Sequence, residues 1–181
     1  MAETIKLEEG KVTMCGMPIV FVFTKSVYYM QKELERALGE KWKRMMYECG
    51  KNDAMITVSG FFSLFQNENK IKELLLVGKP DPLNKAESMQ FFTNQFNKMG
   101  LGRVEMAETD VNKLSFILRF HFSPVAQAYL EHEKGTEPVC HYFSGLWSGA
   151  SSTFYPGLEA VEKKCISRGD PYCEFEVKMR R

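Results

Sequence analysis

The sequence predicts an α+β fold in which an antiparallel β-sheet carries helices packed on it. Segments rich in β-branched and aromatic residues come in pairs joined by short turns, as hairpins do. Helical stretches stand in blocks between those pairs rather than alternating with single strands, which argues against a doubly wound parallel sheet. No internal repeat, linker or low-complexity tract divides the 181 residues, so one domain over residues 1–181 is expected.

In chain order, residues 12–23 are β-rich but interrupted by Gly16 and Pro18, which suits one or two strands with a turn. Ser26 is placed to cap a helix on which Val27, Met30, Leu34 and Leu38 recur at helical spacing, with Gly39 as its stop. A second helical region starts near Glu40 and runs through Trp42, Met45, Met46 and Cys49, with Gly50 a candidate break before residues 54–65. Residues 67–77 suit a short helix ended by Gly78-Lys-Pro-Asp-Pro82. Asn84 and Glu87 have capping-box spacing for a further helix, whose Met89, Phe92, Phe96 and Met99 form one core-facing stripe ending at Gly100.

The period then changes. Residues 103–109 and 114–120 flank Asp110-Val-Asn112 as a hairpin, and Ser123-Pro124 opens a helix reaching about Lys134. Residues 139–154 are apolar with small residues at Ser144, Gly145, Ser148, Gly149, Ala150 and Ser151. Such a helix face either admits another helix closely or leaves a concavity beside aromatic rings. Residues 158–166 and 172–179 form a last hairpin around Arg168-Gly-Asp-Pro171, with Cys173, Phe175 and Val177 on one face.

A net charge of +1 argues against a dedicated nucleic-acid binder, which needs a basic stripe, and no nucleic-acid partner is expected. Charged residues crowd the N-terminus without an apolar stretch after them, and no apolar run approaches bilayer length. A cytoplasmic protein with no membrane span is therefore expected. In a reducing compartment clustered cysteines suggest metal or redox chemistry. Cys15 and Cys49 stand apart and read as small buried hydrophobes. Cys140, Cys165 and Cys173 lie together near the C-terminus with Glu162, three residues before Cys165.

Three thiolates and a carboxylate suit a closed tetrahedral zinc site, with Lys163, Lys164 and Arg168 available to offset its negative charge. On a regular strand Glu162 and Cys165 would face opposite ways, so the chain must turn or bulge between them. His141 is an alternative fourth donor to Glu162. A Cys165–Cys173 disulfide and three unrelated buried thiols remain the other readings of the same spacing. His132 reads as solvated and His121 as half-buried. No HExxH, GxSxG, phosphate-binding loop or dinucleotide fingerprint is present.

The run Glu137-Pro-Val-Cys140-His-Tyr-Phe-Ser-Gly145-Leu-Trp-Ser-Gly149, followed by Glu162-Lys-Lys-Cys165-Ile-Ser-Arg-Gly169-Asp-Pro-Tyr-Cys173-Glu-Phe, resembles the 4-vinyl reductase domain family. Residues 37–50 also look like that family's first helical block. The resemblance implies a fold shared with vesicle-tethering (transport protein particle) subunits, usually as a homodimer. It also implies kinship with phenol- and xylene-sensing domains of transcription activators and with a subunit implicated in bacteriochlorophyll vinyl reduction. The sensors' zinc set, matched residue by residue, falls on Cys140, Glu162, Cys165 and Cys173, with a gap one residue shorter between the first two. The sensors' phenol-binding His and Trp lie upstream, where the resemblance gives no secure alignment with this chain. No ATPase or DNA-binding module is present, so transcriptional output in cis is not expected.

These readings converge on a homodimeric binding domain with structural zinc that takes a small hydrophobic or aromatic ligand. Trp147, His121, Tyr142, Phe120, Phe122 and Tyr155 are the candidate lining residues. A vinyl reductase subunit, which would need its reductant from a partner, and an assembly subunit holding an acyl chain are the alternatives.

Overall fold

The computed structural model describes residues 5–14, 17–65, 89–90, 92–94, 96–97, 100–110 and 112–180. Cys15, the 67–77 helix, its stop and the Asn84/Glu87 capping pair lie outside them, as does Met99. The chain opens with an antiparallel meander of β1 (Ile5–Glu8), β2 (Lys11–Met14) and β3 (Met17–Ile19). This is one strand more than the sequence suggested, because β1 is too short and too charged to show an apolar period. Helices α1 (Thr24–Leu38) and α2 (Lys41–Phe65) follow, then helical residues within 89–97.

A second, four-stranded sheet has the order β4-β5-β7-β6, all neighbours antiparallel. Its strands are β4 (Arg103–Asp110), β5 (Ser115–Phe122), β6 (Leu158–Lys164) and β7 (Cys173–Met179). Between β5 and β6 the chain forms α3 (Pro124–Leu130) and α4 (His141–Phe154). The α+β antiparallel class is the one observed.

Three boundaries differ from the sequence reading. Helix α1 begins two residues before Ser26, with Phe23 at its N-cap and no side-chain cap. Helix α3 stops at Leu130, not Lys134; its start is as expected, the Ser123 hydroxyl accepting from the Ala126 N–H. Gly50 does not break α2, which runs unbroken through it.

The reason is tertiary. A Cβ at Gly50 would overlap the Tyr142 carbonyl of α4, one at Gly145 would overlap the Tyr47 carbonyl of α2, and one at Gly149 would stand 2.6 Å from the Ala54 Cβ. Three glycines let the two helices cross backbone against backbone. Of the two outcomes open for the small-residue face, close helix packing is the one realised at Gly145 and Gly149.

Helix α4 lies between α2 and the sheet, so Phe143 to Ser151 are all buried and no polar face remains. On its sheet side Phe120 and Phe143 stack edge to face with Phe96, Trp147 packs tilted against Phe96, and Phe175 joins through Phe120. Met89, Phe92 and Phe96 are buried, so the described part of the Met/Phe stripe is core as read. The Ser148 hydroxyl joins three layers: it donates to the Ser144 carbonyl and accepts from the Tyr47 hydroxyl of α2 and the Ala160 N–H of edge strand β6.

Candidate metal centre and aromatic core

Four elements bring the donors together. Cys140 is the N-cap of α4, Glu162 ends the regular part of β6, Cys165 follows that strand, and Cys173 opens β7. The requirement that Glu162 and Cys165 face one way is met by a register shift in β6. Glu162 pairs with Phe175 but Lys164 with Glu174, so one extra residue is accommodated between them. The chain then makes a 3₁₀ turn (Ile166–Arg168) closed by Gly169, whose φ of 92° is left-handed, and enters β7.

Potential ligand atoms of Cys140, Glu162, Cys165 and Cys173 all lie within 4.8 Å of one another, and all four residues are buried. The Sγ atoms of Cys140 and Cys165 are each 3.8 Å from that of Cys173. None of the three is in a disulfide. Glu162 Oε2 accepts the Cys140 N–H at 2.9 Å, whereas its Oε1 is buried without a partner. This group can hold a metal ion. His141 stands outside it, its ring edge-on to Trp42 at 4.9 Å.

The site has a supporting shell that sequence spacing did not reveal. Ser123 Oγ lies 3.3 Å from Cys140 Sγ, and Ser167 Oγ 3.1 Å from Cys165 Sγ. The Ile166 N–H donates to Cys173 Sγ, and the Cys165 N–H donates to Asp170, itself held by Arg168. Such N–H···S contacts fix ligand orientation. Lys163, Lys164 and Arg168, expected to balance the cluster's charge, do otherwise. Lys163 pairs with Glu176 and Lys164 with Glu174, because β7 supplies nearer carboxylates, and Arg168 pairs with Asp170 within the same turn.

Electrostatics inside the metal-free cluster favour a single charge. Burial pushes the Cys140 thiol and the Glu162 carboxyl well above their usual ranges. Hydrogen bonds from the Cys140 and Cys173 thiols hold Cys165 far below the usual thiol range. A divalent cation would draw the remaining protons off, as metal binding to thiols does.

The six aromatic and histidine candidates are not brought together. Phe120 and Trp147 meet in the core with ring centroids 5.8 Å apart. His121 is on the opposite face of β5, its Nε2 2.9 Å from Glu105, and Phe122 is 46% exposed at the strand end. Tyr142 faces α2, its hydroxyl donating to Asp53, and Tyr155 lies beside Phe116. Cys49, read as buried, is exposed on α2, since the glycine-lined crossing puts neighbouring Gly50, not Cys49, against α4. His132 is exposed, as expected, and stacks on Tyr28.

Among the described residues, three buried polar atoms of α4 have no hydrogen-bond partner: His141 Nε2 at its start, Trp147 Nε1 and, one turn on from the indole, Ser151 Oγ. Trp147 is fully buried, within 5.8 Å ring-centroid distance of Phe92, Phe96 and Phe120. No helix among the described residues is long and apolar enough to cross a membrane.

No family model matches the chain. An uncharacterized protein of Methanocaldococcus jannaschii is 27% identical over 147 residues, 80% of either chain. The phenol-responsive sensory domain of the transcription activator PoxR, solved with phenol, is similar with a TM-score of 0.75 at 16% identity, over 97% of this chain and 85% of that one. The fold is that of this sensory domain. A trafficking protein particle complex subunit 3 from Naegleria fowleri, covalently bound to palmitic acid, matches 87% of this chain and 95% of its own at 16% identity and TM-score 0.55. A vinyl-4-reductase family protein from Methanocaldococcus jannaschii matches 75% of this chain and 68% of its own at 18% identity and TM-score 0.46. The fold that the C-terminal resemblance implied is the fold observed.

Proposed function

We propose that this protein is a small-molecule-binding domain of the sensor type, one domain over residues 1–181, stapled by a structural zinc ion and working as a homodimer. The observation that carries the ligand assignment is the Trp147 indole N–H, buried in an aromatic shell without an acceptor. A buried donor left unmade costs about 1–3 kcal/mol, and an indole in a core ordinarily finds a partner. A small aromatic or apolar molecule carrying one acceptor oxygen would satisfy it, with Ser151 Oγ as a second polar contact. Phenol, the ligand of the sensory domain with this fold, is the simplest such molecule. Phe120 and Trp147 would touch it; His121, Phe122, Tyr142 and Tyr155 lie away from that shell and are not assigned to it.

The zinc assignment rests on geometry. Thiolates about 2.3 Å from a tetrahedral zinc are about 3.8 Å apart, the spacing of Cys173 from both Cys140 and Cys165. The free Glu162 Oε1 supplies the fourth donor. Four protein donors leave no open position for a reacting water, so the metal would hold α4 to the last hairpin rather than act in catalysis. Three reduced thiols this close together suit the cytoplasm.

The dimer reading rests on the stretch between β3 and α1. Val20, Phe21, Val22 and Phe23 are 83%, 70%, 49% and 86% exposed, and Leu7, Tyr29 and Met30 are more than half exposed. At roughly 150–250 Å² per aromatic side chain, these seven leave on the order of 800 Å² of apolar side chain in water, what one partner contributes to a standard interface. A second copy presenting the same surface would cover it.

Native mass spectrometry of protein purified without added metal tests all three parts. A dimer with about one zinc per chain is expected, and phenol should quench Trp147 emission in a Trp42→Phe background while toluene, lacking an oxygen, should not. A co-purified tetrapyrrole or fatty-acyl mass would instead assign the protein to vinyl reduction or to an assembly role.

A further inference from the structure

A cleft of about 390 Å³ opens between α1, the start of α2, the end of α3 and residues 131–139. Neither the four metal donors nor the shell around Trp147 lines it. Trp42 and Tyr129, each 3% exposed, form its aromatic wall. Around them stand Glu35, Glu40, Glu133 and Glu137 with Lys32 and Lys43.

Each lysine is shared by two carboxylates, one on its own side of the cleft and one on the 131–139 segment. Lys32 Nζ is 2.8 Å from Glu35 and 3.0 Å from Glu133; Lys43 pairs with Glu40 at 2.7 Å and with Glu137. Lys134 also lines the cleft, but its ammonium reaches toward Gly169. Four carboxylates around two committed ammonium groups leave a net negative charge. An ammonium has three donors and a carboxylate about four acceptor sites, so the surplus is of acceptors.

The Tyr129 hydroxyl adds an independent observation. Among the described residues it is buried without a hydrogen-bond partner. Burial and then the charge of Glu35 hold the phenol far above its usual range, so the oxygen is a neutral group facing a negative field. An anion entering here would meet four carboxylates and lysines already paired. A cation with N–H donors would meet spare acceptors and, on Trp42, an indole.

We propose that this cleft binds a small primary ammonium ion with an apolar tail, its head among Glu35, Glu133 and the Tyr129 oxygen and its tail against Trp42. The site is separate from the ligand site proposed around Trp147, and neither assignment depends on the other.

Calorimetric titration of the full chain with n-butylammonium and phenethylammonium tests it, with butyrate and tetramethylammonium as controls. Both primary amines should bind saturably, phenethylammonium more tightly, and tetramethylammonium at least about tenfold more weakly for want of N–H donors. Glu35→Gln and Glu133→Gln, at partly exposed positions that do not threaten the fold, should each weaken amine binding by about tenfold through loss of a charge-assisted bond. Amine quenching of tryptophan emission should persist in Trp147→Phe, where Trp42 alone reports. No saturable heat, butyrate or tetramethylammonium binding as tightly as the primary amines, or unchanged affinity in the Glu35→Gln/Glu133→Gln double variant would each overturn the proposal. Quenching lost in Trp147→Phe would place the amine in the core and overturn it too.

Discussion

Gly149→Ala isolates the contact on which the helical layers depend. The added Cβ would stand 2.5 Å from the Lys51 carbonyl oxygen and 2.6 Å from the Ala54 Cβ, roughly 1 Å inside ordinary carbon contact. One of those neighbours is backbone, so no rotamer change relieves the clash and α2 itself has to retreat from α4. Overpacking of a close-fitted core costs about 1–3 kcal/mol, and rigid backbone neighbours put this site at the upper end. Alanine in place of a mid-helix glycine returns about 1 kcal/mol of helix propensity. The net expectation is a loss of about 2 kcal/mol, or about 4–8 °C in melting temperature for a chain of this size. Differential scanning calorimetry reads it, with metal content measured on the same sample and expected unchanged. Ala54→Gly in the same chain should recover part of the loss by removing one of the two neighbours. A Gly149→Ala variant that melts at or above the parent would refute the backbone-to-backbone crossing.

Cys165→Ser should drop zinc from about one equivalent to well under half by elemental analysis and lower the melting temperature, since the metal would join α4 to the β6–β7 hairpin; an unchanged melting temperature would defeat the structural role. Ser148→Ala should destabilise by about 1–3 kcal/mol in urea unfolding, because the Ala160 N–H loses its acceptor, and no measurable change would show that water replaces it. Phe21→Asp with Phe23→Asp should sediment as a 20.9 kDa monomer where the parent is a dimer, whereas a dimer that survives both charges would place the interface elsewhere. The Lys43 hydrogen bond holds the Glu137 carboxyl below its ordinary 4.5. Its stabilising contribution is therefore complete above that value and lost as pH falls through the depressed one. Glu137→Gln should flatten that part of the acid-unfolding profile, and superimposable profiles would contradict the pair.

Local patterning made much of the fold legible. The hairpin pairing β4 with β5 shows in the switch to period 2, Ser123-Pro124 fixes the start of α3, and Gly39 fixes the end of α1. Cys140, Glu162, Cys165 and Cys173 could be grouped because three thiols and a carboxylate at short spacing near the C-terminus suit one metal and match the pattern of the family the chain resembles. The aromatic candidates were less tractable. His121 and Phe120 are adjacent in sequence yet face opposite sides of β5, and neither composition nor spacing says which side meets α4.

What the sequence by itself determined is therefore local: some segment ends, such as Gly39 after α1 and Ser123-Pro124 before α3, the period each segment follows, and which four donors belong together. Three matters were decided only in tertiary structure. Whether Gly50 breaks a helix depends on whether another backbone arrives at it, and α4 does. Whether Glu162 can face Cys165 depends on the register β6 adopts against β7, where one extra residue turns the side chains to a common side. Whether Lys163 and Lys164 neutralise the cluster depends on which carboxylates the folded sheet brings nearest, and those are Glu176 and Glu174. In each case the deciding partner is either remote in sequence or set by strand register, and a one-residue change of register reverses the outcome.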